Sequence, residues 1–418
     1  MTSMTRRGFL GTAGVGLAGA ALAGCAGSSQ TSNAGGTTTI SFWQYYGTPD
    51  TPYGGPLQAL FDRYMQAHPE VSIENRFIPF GEFNRTLLQS AAGGGLPDIA
   101  LVHAFDVGAY AKAGILSDIT RRVQSWGKAD SYFHSIWDTT TWQGKNYALP
   151  HVADCYVLWY NQKILDQAGT KPPETWKELG AAARKVATKQ RYGLAVSAIE
   201  GVEGATAWTT RFLAAGGKIT QVDSPAGREA LQQWIDLVGS GAMSRGVLGW
   251  NEEDVYNKFR NGQAAMMINS SSYVNVLRDE APELDWKVAL LPKDERRATF
   301  MSAEDLTITS GSAHPDAAWD VLTYMQRPKV LNTYLPERNK LPPRKDVATM
   351  PPWSNDPVWS VFIEQLPSAW APGPKVAPHS AEVLTYVQGA IQSAVSGQSS
   401  VPGALAEAQR KIDGVLQG

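Results

Sequence analysis

From Ile40 to Leu116 the chain alternates two hydrophobic periods, and this alternation constrains the fold more than any other feature. Ile40 and Phe42 are spaced two apart in a short extended run, residues 40–43. Residues 56–68 then place Leu57, Leu60, Phe61, Tyr64 and Met65 at helical spacing, with Pro56 at the first turn. Val71, Ser72 and Ile73 alternate as a second strand. GEFNRTLLQSAAGGG reads as a helix stopped by three glycines, LPDIALV as a buried strand at 99–102, and GAYAKAGIL as a short helix ended by Gly114. Strand–helix–strand–helix–strand order predicts an α/β fold, a sheet with helices on its faces.

The same punctuation continues. Gly144-Lys145 fits a turn between Trp142 and Tyr147, and residues 155–160 form a continuous apolar strand. PPETWKELGAAARKVA opens a helix with Thr175 as its cap, and YGLAVS is a strand. PAGREALQQWIDLVGSG puts Leu231, Trp234, Ile235 and Val238 on one helical face. EEDVYNKFRNG is a helix, QAAMMIN a buried strand and LTITS a late strand. HPDAAWDVLTYMQRP and SAEVLTYVQGAIQSAVSG read as helices.

The N-terminus reads as a targeting segment. Arg6-Arg7 precede a short run, residues 9–23, too short and too rich in Gly and Ala to span a membrane. Thr5-Arg6-Arg7-Gly8-Phe9-Leu10 resembles a twin-arginine export signal; Arg6-Arg7 would equally serve a general secretion signal. Leu22-Ala23-Gly24-Cys25 resembles the lipobox of bacterial lipoproteins, which implies cleavage before Cys25 and lipidation of its sulfur. Residues 25–38 are then a polar, Gly-rich tether. Removing residues 1–24 leaves 394 of the 418, enough for two or three domains of ~150 residues. Net charge is −2, with no basic excess that would suit nucleic acid. With Cys25 lipidated only Cys155 remains, so no intrachain disulfide is expected. The 14 Trp and 15 Tyr stand out, because aromatic faces serve as platforms for sugars and for cations.

Several segments in order resemble the bacterial extracellular solute-binding proteins of family 1, the sugar-binding partners of ABC importers. They are LFDRYMQAHPEVSIE, GGGLPDIALV, GKNYALPHVADCYVLWYNQKILDQAG, PETWKEL, FRNGQAAMMIN, SGSAHPDAAWDVLTYM and YLPERNKLPPRKDV. The match runs from about Ile40 to about Gly397, and its specificity lies in the ordered series rather than in any one motif. Two positions depart from the family pattern. Trp159 stands where an aliphatic residue or Tyr is usual, and Ser270-Ser271-Ser272-Tyr273 stands where Gly-Pro-Trp often follows the strand. The resemblance implies a two-lobed periplasmic-binding-protein-like fold that closes on its ligand by hinge motion. The lobes are expected at 39–151 with 302–350, and at 152–301 with 351–418. It also implies a monomer, delivery of a carbohydrate to the importer's permease subunits, contact with the membrane through the lipid anchor alone, and no cofactor.

In open α/β sheets ligands bind outside the carboxyl ends of strands. That rule selects Trp43, Gln44 and Tyr45 after the first strand, with core burial the competing reading for the rings; Tyr46 is undecided. Phe105 and Asp106 follow the strand at 99–102, where Asp106 either contacts ligand or caps the next helix. Asp154, beside a buried apolar run, must have a partner: a ligand hydroxyl, an Arg or a backbone amide. The resemblance favours the ligand. Ser270, Ser271 and Tyr273 end the strand AAMMIN, and Ser302, Glu304 and Asp305 precede LTITS, with pairing to Arg296, Arg297 or Arg344 the alternative for Glu304 or Asp305. Trp208, Trp250 and Trp370 complete the set, with helix core or a surface ring as the alternative for the first two. Rings with carboxylates suit a neutral polyol. A glycosidase using two of Asp106, Asp154, Glu304 and Asp305 is a second reading, and a binder of a quaternary ammonium or a glycerophosphodiester a third. No Gly-x-Ser-x-Gly, His-Glu-x-x-His or Walker A sequence occurs, and no metal is expected.

Overall fold

The computed structural model describes residues 36–417. The expected export signal, the lipidation site Cys25 and all but the end of the tether lie outside the described residues. The strands are β1 (Thr38–Gln44), β2 (Val71–Phe77), β3 (Ile99–His103), β4 (Thr141–Trp142), β5 (Lys145–Asn146), β6 (Ala148–Asn161), β7 (Tyr192–Ala195), β8 (Ala264–Ser270), β9 (Trp286–Ala289) and β10 (Met301–Ile308). Eight of them form one sheet in the order β2-β1-β3-β10-β6-β8-β7, with β9 also on β6, while β4 and β5 make a separate hairpin. β1 runs parallel to β2 and β3, and β10 enters antiparallel between β3 and β6.

All 14 residues of β6 are buried, and the strand belongs to both halves of the sheet. Its first part, Ala148 to Cys155, pairs with β10; Tyr156 to Asn161 pair with β8 and β9. The sequence pattern gave only the second part. Pro150 lacks an N–H and signals against a central strand, but it sits at a register shift. Pro150 faces Asp305 and Val152 faces Glu304, which leaves His151 unopposed. β10 likewise starts five residues before Leu306, so the polar Ser302, Glu304 and Asp305 lie inside a strand rather than ahead of one.

Helices cover both faces of the sheet, which decides how β1 is used. Ile40 and Phe42 enter the large core with Leu57, Leu60, Phe61 and Tyr64 of the helix Gly54–Ala67. Trp43 points the other way and is also buried, among Phe83, Leu87, Val102 and Ile115. A sheet covered on both faces hides both sets of side chains. Helix starts follow the sequence signals: Thr175 forms a capping box with Glu178 ahead of Trp176–Val186. The helix Pro225–Gly239 buries Leu231, Trp234 and Leu237, while Ile235 and Val238 are only half-buried.

Candidate ligand-binding cleft

Lys340 is brought to Asp154 by local backbone chemistry. The helix Pro328–Glu337 ends in Arg338 and then Asn339, whose φ of 52° is left-handed, a conformation asparagine tolerates better than most residues. The chain turns there, and Leu341 exchanges backbone hydrogen bonds with Ala153 at 2.8 and 2.9 Å. Lys340 therefore lies beside Asp154, and its ammonium donates to Asp154 Oδ2 at 2.8 Å. The Ser272 hydroxyl donates to the same oxygen at 3.1 Å, and the Cys155 and Ser271 amides donate to Oδ1 at 2.8 Å each. Asp154 is 1% exposed. The partner it requires is thus a lysine, a hydroxyl and two amides, and no oxygen is left free. Burial works against the Lys340 charge, but the Asp154 and Glu304 carboxylates outweigh it and raise the ammonium pKa.

This ion pair forms one wall of a chamber of ≈ 450 Å³, and an adjoining chamber of ≈ 520 Å³ continues it past Tyr45, Phe80 and His103. Strand alternation supplies further lining. Asp154 and Tyr156 share a face of β6, and Ser302 and Glu304 a face of β10. Glu304 is 8% exposed, and its Oε2 has no donor among the described residues. Burial raises its pKa, and Lys340 and Arg338 oppose that rise. Arg338 stacks its guanidinium over the Tyr46 ring at 3.8 Å and near Tyr53 at 4.8 Å, while its Nε and Nη1 are unpartnered. The buried hydroxyls of Tyr45 and Tyr46 are unpartnered too. Across the chamber, Tyr156 donates its hydroxyl to Glu252, and Tyr273 stacks on Tyr256 with centroids 4.8 Å apart.

Of the residues selected from sequence, the structure brings Tyr45, Asp154, Ser270, Tyr273 and Glu304 to the first chamber, and Phe105 and Asp106 to the second. Asp106 makes no side-chain cap, and burial raises its pKa. The others lie elsewhere, each for a physical reason. Trp43 is packed in the core under the Arg76 guanidinium, 4.5 Å from its ring. Gln44 is fully buried; its amide donates to Gly47 O and Asn75, and its carbonyl accepts from the Tyr46 amide. It shapes the turn that presents Tyr45 and Tyr46. Trp208 is 0% exposed and stacks on Phe212 at 4.9 Å, the helix-core alternative. Trp250 packs against Tyr192. Ser271 is buried, donating to Asn339 O. Asp305 points away from Glu304 into the core, where Thr139 donates to it at 3.3 Å. Trp370 backs the cleft, edge-on to Phe105.

The structure also brings Ser302, ahead of LTITS, to the first chamber, and adds Tyr53, Phe80, Glu203, Glu252, Phe300, Arg338 and Lys340, which no sequence feature singled out. Arg338 and Lys340 stood inside the quoted segment YLPERNKLPPRKDV, and Glu252 inside a stretch read only as helix. Glu203 carries no local signal.

The sequence model of the bacterial extracellular solute-binding proteins matches residues 48–331. The chain belongs to that family. Its members are binding proteins rather than enzymes and are extracytoplasmic. Among relatives, a putative binding protein of Brucella abortus (strain 2308) is 24% identical over 384 residues, covering 89% of this chain and 92% of its own. The maltotriose-binding protein of Pyrococcus abyssi (strain GE5 / Orsay) is 25% identical over 352 residues, covering 80% of this chain and 73% of its own. Among solved structures, the cyclic α-maltosyl-1,6-maltose binding protein from Arthrobacter globiformis superposes with a TM-score of 0.78 at 26% identity, covering 91% of this chain and 100% of that one. The α/β architecture expected from sequence is therefore that of the periplasmic binding proteins.

Proposed function

We propose that this protein captures a carbohydrate in the cleft between Glu304 and Tyr273 and hands it to the permease of an ABC importer, without covalent chemistry. One observation carries the reading. Glu304, Tyr45, Tyr46 and Arg338 hold unpartnered polar atoms in a buried site walled by aromatic rings. Each buried, unsatisfied polar group costs about 1–3 kcal/mol. The hydroxyls of a polyol would relieve those groups, while its C–H faces pack on the rings. Relatives and structural neighbours named for maltotriose and for a cyclic maltose dimer support the same class. The two lobes, 39–151 with 302–350 and 152–301 with 351–418, would close about β6, the strand common to both halves of the sheet. Leu22-Ala23-Gly24-Cys25 supports a diacylated Cys25 holding the protein to the outer face of the cell membrane.

The test is a thermal-shift screen with mono- and oligosaccharides, followed by chromatography of the recovered ligand. Binding at ~100 times Kd adds about 2.7 kcal/mol of stability. A stabilising sugar recovered unchanged is the expected result. Silence toward every sugar, or a sugar returned cleaved, would overturn the proposal.

A further inference from the structure

The chamber carries more acidic groups than a neutral sugar needs. Asp154, Glu203, Glu252 and Glu304 line it, against Arg338 and Lys340 as fixed cations. Lys340 is committed to Asp154, and Arg338 lies over the Tyr46 ring. Glu203 and Glu252 are neighbours with no cation of their own among the described residues. Glu203 Oε1 accepts from the Ser197 hydroxyl at 2.9 Å and from the Glu252 amide at 2.8 Å. One oxygen of Glu252 accepts from Tyr156. The second oxygen of each carboxylate has no protein donor.

Helix capping explains only part of this. Glu203 sits on the first amide of the helix Glu252–Arg260, a favourable place for an acid. Capping does not explain why the Glu252 side chain turns back into the cleft beside a second carboxylate. Burial and the Glu203 charge together push the Glu252 carboxyl up to about 8. Nor does capping bear on Glu304, more than nine-tenths buried and aimed into the same chamber with Oε2 unpartnered.

Resting on the carbohydrate reading above, we propose that the ligand is an amino sugar or an oligosaccharide containing one. Its protonated amine sits between Glu203 and Glu252, and its hydroxyls meet Glu304, Tyr46 and Arg338. An ammonium supplies both things the pair lacks: N–H donors for the free oxygens and a positive charge in place of the proton that Glu252 holds when the site is empty. A neutral hydroxyl supplies only the first. A quaternary ammonium supplies only the second, because it has no N–H.

Calorimetric titration of the purified protein with glucosamine and its β-1,4-linked dimer to tetramer, their N-acetylated counterparts and glucose oligomers tests this. N-acetylation removes the charge while leaving the ring hydroxyls. The expected result is binding at least about tenfold tighter for an amine than for its N-acetylated form, since hydrogen bonds to charged groups are the stronger ones. In Glu252→Gln that ratio should fall by about tenfold or more. Equal or tighter binding of the acetylated or glucose oligomers in the wild-type protein would overturn the amine proposal and leave the carbohydrate reading standing. Binding of choline-like cations with no sugar bound would overturn both. The wild-type comparison decides the question whatever the variant's stability.

Discussion

Replacing Asp154 with alanine separates two roles for this residue. Had its carboxylate been reserved for ligand, Asp154→Ala would abolish binding and leave the free protein as stable as before. The structure assigns it to the fold. Its removal strands the Lys340 ammonium, whose side chain is 14% exposed, and leaves the Cys155 and Ser271 amides without their acceptor. Breaking a buried ion pair by deleting one partner costs about 3–5 kcal/mol. At ~2.1 cal/mol/K per residue, a folded unit running from Thr37 to Gly418 has an unfolding entropy of about 0.8 kcal/mol/K. The loss therefore appears as a fall of roughly 4–6 °C in the melting temperature by scanning calorimetry. The double variant Asp154→Ala with Lys340→Met removes the stranded charge and should recover part of that fall. An Asp154→Ala melting temperature within about 1 °C of wild type would refute the assignment.

Other outcomes follow from the same geometry. Glu304→Gln keeps the shape of the side chain but removes its charge, and should weaken sugar binding about tenfold or more by titration, with little change in melting temperature. Trp208→Ala opens a cavity in the core and should cost about 3–5 kcal/mol in denaturant unfolding without altering ligand preference in the folded fraction. The Glu252 carboxyl stands at about 8 in the folded protein against an ordinary 4.5, so the folded state holds a proton that the unfolded chain releases. Stability should then fall as pH rises from about 4.5 to about 8, by at most ~1.4 kcal/mol per unit from this group, and Glu252→Gln should flatten that slope. Glu304, Asp305 and Asp106 act with the same sign, while the lowered pKa of half-buried His103 and buried His151 makes stability fall on acidification below the ordinary histidine range. From the sequence rather than the geometry, the proposed lipid anchor at Cys25 predicts that Cys25→Ser moves the protein out of the membrane fraction.

The element order of the first half was legible because its strands and helices keep clean periods, as in Ile40 with Phe42 and Leu57 with Leu60, Phe61 and Tyr64. What escaped was longer in range. Periodicity assigns Trp43 to the face opposite Phe42 but does not reveal that a helix covers that face as well. The β6 extension depends on a register shift around His151 that is set by β10, more than 150 residues downstream. The same crossing sorts Glu304 into the cleft and Asp305 into the core, a distinction of one residue invisible without the register. A carboxylate beside a buried apolar run shows that Asp154 needs a partner; that the partner is Lys340 follows from the left-handed turn at Asn339 and the Leu341–Ala153 pairing. Glu203 and Glu252 meet only in three dimensions, so no local pattern linked them.

The proposed function places a sugar in the chamber between β10 and Tyr273. A crystal structure of the protein with the most stabilising sugar of the thermal screen tests it most directly. One ligand is expected, with hydroxyls within hydrogen-bond distance of Glu304 Oε2 and Arg338, packed against Tyr46 on one side and Tyr273 on the other. A sugar seated anywhere else on the molecule, with that chamber occupied by side chains alone, would contradict it.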